Sequence, residues 1–282
     1  MVLRETLVAL AVNVLAMLVP AVVVAVGVRN LTGALADARR RFVAVAPYLL
    51  PLAVVLAARR LALTVGPELS WYLEWNASGF IYALEGTTIV TIQSLSSPLL
   101  TEYFVFVYLY GYVFLLVFPL IAYFVLDDSD RLAELLAAYG LNYGLGLVCY
   151  VLIVAYGPRN VIPSAVESLL YTTYPTSQHL TGEVNLNTNV FPSLHASLSV
   201  TVALFAWRSR QRYPGWLFVA TLLAVSVAAA TMYLGIHWAT DVAGGLLLAA
   251  GSYWLAIWLV ERYGCWESLP DVRAHWKQVR SR

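Results

Sequence analysis

Charge is the scarcest thing in this sequence: of 282 residues, 61% are hydrophobic and only 12% are Asp, Glu, Lys or Arg. A soluble domain carries roughly 25% charged residues. So few charges cannot cover so much apolar surface, which excludes an ordinary soluble fold and assigns part of the solvation to lipid. Lysine is nearly absent, since Lys277 is the sole one beside sixteen arginines. Net charge is +1, and no nucleic-acid partner is expected. Cysteine is equally sparse. Cys149 and Cys265 form neither a disulfide framework nor a paired metal-ligand spacing.

What is present is a series of long apolar runs. About 20 such residues span a bilayer as a helix. Candidate spans are Leu7–Val28, Phe42–Ala58, Tyr103–Leu126, Leu132–Tyr156, Leu194–Trp207, Trp216–Leu234 and Val242–Val260. The fold class is therefore all-α, a polytopic helical membrane bundle with six or seven transmembrane helices. Leu7–Val28 is too long for a signal-peptide core and reads as a retained helix. Two spans are short: Leu194–Trp207, and Phe42–Ala58, where Pro47 and Pro51 predict a kink or a break.

Arginine clusters on cytoplasmic loops. Arg39–Arg41, Arg208, Arg210, Arg212 and the tail with Arg262, Arg273, Lys277, Arg280 and Arg282 therefore belong inside. Alternation then puts 157–192 and 235–241 outside. Arg59 and Arg60 fall on the wrong side, so they snorkel or the second segment does not cross. The N-terminus is external with seven spans, or internal with six and a re-entrant piece. Between Pro67 and Pro98, Glu68, Glu74 and Glu85 alternate with Trp71, Tyr72, Trp75, Phe80 and Tyr82, a mixture suited to helices in the headgroup region. Asn76-Ala77-Ser78 is a glycosylation triplet, for which chance is the simpler explanation. Gly140, Gly144 and Gly146 suit close helix packing. The chain is expected to be one membrane domain, 1–282. Its catalytic core covers about 139–260, with accessory helices in 1–60, an outer interfacial segment in 61–100 and a cytoplasmic tail in 261–282. Oligomeric state is not legible.

Ionisable groups at membrane edges are rare and are functional candidates by default. His275 sits in the basic tail and His179 in the outer loop, where solvation accounts for both. His195 and His237 each join an outer loop to an apolar helix. In Phe191-Pro192-Ser193-Leu194-His195, Pro192 suits a first helical turn, whose free amides with the Ser193 hydroxyl form an anion cradle. His195 on that turn can hand a proton to a leaving oxygen. In Gly235-Ile236-His237-Trp238-Ala239-Thr240-Asp241, His237 and Asp241 share a face if the stretch is helical. A carboxylate on one imidazole nitrogen leaves the other free to attack. Arg159, alone in the long outer loop, can grip phosphate oxygens in two places. Each motif alone is explained equally well by helix capping or interface anchoring. Both on one membrane face, a single hairpin apart, argue for chemistry.

These residues resemble the phosphatidic acid phosphatase type 2 superfamily, which includes the vanadium haloperoxidases. Pro192-Ser193-Leu194-His195 fits its Pro-Ser-x-His motif, with Leu194 replacing the usual Gly. Gly235-Ile236-His237 through Asp241 fits the close of its third motif, whose Arg should stand at Thr231. Pro158-Arg159 approximates the first motif, without its Lys. The departures resemble the branch containing inositol phosphorylceramide synthase. The resemblance covers roughly 139–260 and implies a two-step phosphoryl transfer on a phosphorylated lipid. His237 attacks, Asp241 orients it, His195 protonates the leaving oxygen, and Arg159 and Ser193 hold the phosphate. A phosphohistidine forms and passes its phosphoryl group to water or to an alcohol, and no metal or other cofactor is expected, because Arg159 and helix amides take its place. A haloperoxidase is disfavoured, because the Lys and two of the Arg positions for vanadate are missing and those relatives are soluble. A proton-coupled transporter or channel using buried His and Asp is the alternative class, and an inactive scaffold a third.

Overall fold

Apolar periodicity gives way to helix nearly throughout the computed structural model, which describes residues 2–73, 75–126, 130–178 and 190–264; for residues 2, 3 and 59–73 the description is of the backbone alone. His179, Glu74 and residues 265–282, which hold Cys265, His275 and the basic tail beyond Arg262, lie outside the described residues, as do the side chains of Arg59, Arg60, Glu68, Trp71 and Tyr72. Among the described residues, six helices are long and apolar enough to cross a membrane: Arg4–Val26, Ala38–Ala58, Pro98–Val125, Asp130–Leu152, Pro214–Tyr233 and Ala239–Tyr263. The protein is an all-α polytopic bundle. Among the described residues the sole β pairing is an isolated bridge between Asn76 and Val154.

In chain order, α1 (Val2–Ala21) continues into a π-helical turn, Val22–Val26. Gly27, at φ 84°, ends it. After α2 (Val28–Ala36) comes α3 (Ala38–Leu73). Pro47 and Pro51 do not break the segment: α3 runs through both as one 36-residue helix. The reason lies in α8 (Asp130–Leu152), against which α3 packs. Gly140 faces the backbone of Leu52 and Gly144 faces Val55, so the contact replaces what the two missing amide bonds would supply. The interfacial segment forms α4 (Ser78–Glu85) and α5 (Thr88–Gln93). Its expected start at 61 falls inside α3. Of the glycosylation triplet, Asn76 is exposed, whereas Ser78 is buried and accepts a bond from the Tyr156 amide at 2.9 Å.

Ser97 caps α6 (Pro98–Phe106), which passes through a π-helical turn, Val107–Gly111, into α7 (Tyr112–Val125). The span expected to continue to Tyr156 instead leaves the helix at Leu152. Val154 there exchanges backbone bonds with Trp75 (2.9 Å) and Ala77 (2.8 Å), partners that a helix could not reach. Two short helices, α9 (Pro158–Val161) and α10 (Leu169–Thr173), punctuate the following loop.

Three helices close the bundle: α11 (Leu194–Arg208), α12 (Pro214–Tyr233) and α13 (Ala239–Tyr263). With 15 residues, α11 reaches only about 22 Å. It is enclosed by α7, α8, α12 and α13. At its far end Glu134, 2% exposed, receives Arg208 through two bonds (3.1 and 2.9 Å) and Arg131 through one (2.9 Å). The antiparallel run of α11, α12 and α13 brings the start of α11 and the start of α13 to one end of the bundle.

Candidate active site

The turn after α12 aims the first candidate. The amides of Ile236 and His237 both donate to the Thr231 carbonyl at 3.0 Å, closing the helix. Gly235 sits at φ 72°, and a Cβ there would meet Val166 at 2.7 Å. Gln93, buried, secures that approach by donating to the carbonyls of Glu167 (2.9 Å) and Tyr233 (3.0 Å). Thr231, fully buried, bonds back to the Ala228 carbonyl at 2.7 Å, so the family pattern's Arg position holds a short hydroxyl facing its own helix.

His237 precedes α13 rather than lying on it, so the expected shared helical face is replaced by a capping turn. Trp238 is the N-cap, and its amide donates to Asp241 Oδ2 at 2.8 Å. Its fully buried indole donates to the Tyr156 carbonyl at 2.9 Å. The same Oδ2 lies 3.4 Å from His237 Nδ1, long for a hydrogen bond and close enough to orient the ring. That leaves Nε2 turned away from the carboxylate. Asp241 is fully buried and His237 is 4% exposed, while Asp241 Oδ1 has no partner.

The second motif is bound to the first through the backbone: the Ser193 amide donates to the Asp241 carbonyl at 2.9 Å. Pro192 does not occupy the first turn of α11 as expected. Ser193 is the N-cap, its hydroxyl accepting from the Ala196 amide at 3.4 Å. Serine is much the better cap, and its oxygen satisfies an amide the helix itself cannot. The Gly244-Gly245 pair makes the approach possible: a Cβ on Gly245 would lie 2.5 Å from the Ser193 carbonyl, and one on Gly244 2.8 Å from the Phe191 ring. Gly146 likewise admits Leu194. The His195 and His237 ring centres are 6.4 Å apart.

Arg159 comes in on α9. Gly157 presses against the Ile236 carbonyl, where a Cβ would sit at 2.3 Å, and the Arg159 amide donates to Gly235 at 3.2 Å. The guanidinium lies 4.6 Å over the Tyr171 ring and donates from Nη2 to its hydroxyl at 3.2 Å. Nη1 is buried and has no partner. A buried cationic donor left unmatched is costly, and an anion is its natural complement.

Some groups at the site had no signal in the sequence. Glu85, at the end of α4, accepts the amides of Ala239 (2.9 Å) and Thr240. It thus occupies the N-terminus of α13. Tyr108 and Tyr112 flank His195, with ring centres at 4.7 and 4.5 Å. Only the alternation of Glu85 with aromatic residues hinted that its segment was special, and nothing there pointed to α13. Among the described residues no group of three or more His, Cys, Asp or Glu is arranged to hold a metal.

Residues 81–255, more than half of the chain, match the family model described as PAP2 superfamily. The chain belongs to the PAP2 superfamily. Comparison with curated proteins and with solved structures gives no match. The PAP2 match starts at Ile81, well before the 139 expected from the motifs, and so takes in Glu85, Tyr108 and Tyr112. PAP2 membership supports a phosphatase-type enzyme in general.

Proposed function

We propose that this PAP2 protein cleaves a phosphate ester of a lipid through a phosphohistidine on His237. The observation that carries the proposal is the pair of imidazoles 6.4 Å apart with a buried carboxylate behind one of them. An attacking contact of about 3–3.5 Å at one ring and a proton-donating contact of about 3 Å at the other are on the scale of that separation. His237 Nε2 forms a bond to phosphorus while the ester P–O bond breaks. His195 gives its proton to the departing oxygen, and Asp241 steadies the charge that develops on His237. Arg159 Nη1, with the first amides of α11 and the Ser193 hydroxyl, takes the non-bridging oxygens, the kind of prearranged electrostatics that dominates many such reactions. Water or an alcohol, activated by the now neutral His195, then removes the phosphoryl group.

The acceptor favoured is an alcohol, because Leu194 and Thr231 follow the pattern of the inositol phosphorylceramide synthase branch. The site is assigned to the extracytoplasmic face of the cell membrane. Arg41, Arg208, Arg210 and Arg212 stand at the opposite end of the bundle, and arginine collects inside. The test is phosphate release and headgroup transfer by purified protein from phosphatidic acid or a prenyl diphosphate, with and without added polyol. Wild type turns over, and His237→Ala lowers kcat by about 10⁴-fold or more. Turnover persisting in His237→Ala overturns the assignment.

A further inference from the structure

His195 stands on the first turn of a helix yet is held by a different one. The long helix through α6 and α7 is interrupted by the π-helical turn Val107–Gly111, where the Tyr112 amide reaches back to the Val107 carbonyl. Such turns are rare overall and frequent at functional sites. This one buries Val107, Tyr108, Leu109 and Gly111, a wider inward face than the stripe of an amphipathic α-helix. The result is that Tyr108 and Tyr112 meet one target. The Tyr108 ring stacks on His195 at 4.7 Å with 24° between planes, and the Tyr112 ring lies at 4.5 Å and 43°. Tyr108 is 4% exposed.

Both separations fall inside the range of about 6 Å over which an aromatic face attracts a cation. That attraction favours imidazolium over imidazole, and close packing fixes the direction of the ring N–H bonds. We infer that Tyr108 and Tyr112 form an aromatic clamp that keeps His195 charged and aimed, and so fits the enzyme to esters of aliphatic alcohols. The inference rests on the reading in which His195 protonates the leaving oxygen. When the P–O bond to an alkyl group breaks, both electrons stay on an oxygen too basic to depart as an alkoxide, and the His195 proton completes the alcohol. A nitrophenyl ester leaves as a stable anion and needs no such proton. The two tyrosines are positioning residues, because they act through His195.

The test compares hexadecyl phosphate with 4-dodecyl-2-nitrophenyl phosphate, similar tails on different leaving groups. Tyr108→Leu and Tyr112→Leu are expected to lower kcat on the alkyl ester by about 10-fold each and to change the aryl ester by less than about 3-fold. Tyr108→Phe, which keeps the ring face, stays near wild type on both. In a His195→Ala background Tyr108→Leu adds no further loss, the non-additivity expected of groups acting as a unit. If the leucine variants do not fold, phenylalanines of increasing fluorination at 108 keep the packing and drain the ring face, and activity on the alkyl ester should fall stepwise. Equal loss on both esters, or no fall along the fluorinated series, overturns the clamp. Wild type inert on both esters overturns instead the function on which it rests.

Discussion

Helices α1 and α11 are opposites within one bundle. α1 is among the most apolar stretches of the chain, yet only 11% of its spanning window is buried, and Val8, Val12, Leu15 and Val19 are each more than half exposed. α11 is short, carries Ser197, Ser199 and Thr201 fully buried, and packs against α7, α8, α12 and α13. Two of these hydroxyls are put to use: Ser197 donates to Asn142, whose amide nitrogen reaches Thr201 at 3.2 Å. The difference teaches that lipid, not the interior, demands the most hydrophobic residues here. A helix wrapped in other helices can be short and polar, and can therefore hold a catalytic group at its tip.

The comparison can be broken by substitution. The largest effect outside the imidazole pair is expected at Arg159: Arg159→Ala should lower kcat/KM on a lipid phosphate by about 10²–10³-fold, the scale of losing one prearranged donor. Arg159→Lys should recover little, because a point charge cannot replace the planar fork. Unchanged kinetics in Arg159→Ala would mean that its bare Nη1 does not meet phosphate. Next comes Gly245→Ala. Its Cβ would enter the space of the Ser193 carbonyl, and backbone cannot give as a side-chain tip can. A loss of about 1–3 kcal/mol in unfolding free energy, with activity reduced, is expected in detergent. Full stability there would show that the two motifs are less tightly joined than their contact implies. The smallest effect belongs to α1. Val12→Leu on its exposed face should stay within about 0.5 kcal/mol and leave turnover unchanged. A clear loss would show that α1 has a protein neighbour rather than lipid.

How much of this could be read from the chain depended on the physics behind each signal. The spans were legible because a bilayer requires about 20 apolar residues in a row. The pair His195 and His237, with Asp241, stood out because polar groups at the ends of such runs are rare. Pro47 and Pro51 misled, since the expected break ignores a neighbour: α8, with glycines facing α3, holds the helix together across the gap. Pro192 was placed two residues too far into α11 because Ser193 makes the better cap. Glu85 was not legible, as it reaches Ala239 across a separation of 154 residues with no periodicity joining them. Nor were Tyr108 and Tyr112, two of eighteen tyrosines in a helix where aromatics are ordinary. It took the π-helical turn to single them out.

The most direct measurement is of the covalent intermediate itself. Purified protein is mixed with ³²P-labelled phosphatidic acid, quenched in alkali within the first turnover, digested and mapped. The account predicts an alkali-stable, acid-labile label on the peptide containing His237, absent in His237→Ala and accumulating in His195→Ala with an activated aryl phosphate labelled in the same way. Label on any other residue, or steady turnover with no labelled protein at any time, would contradict it.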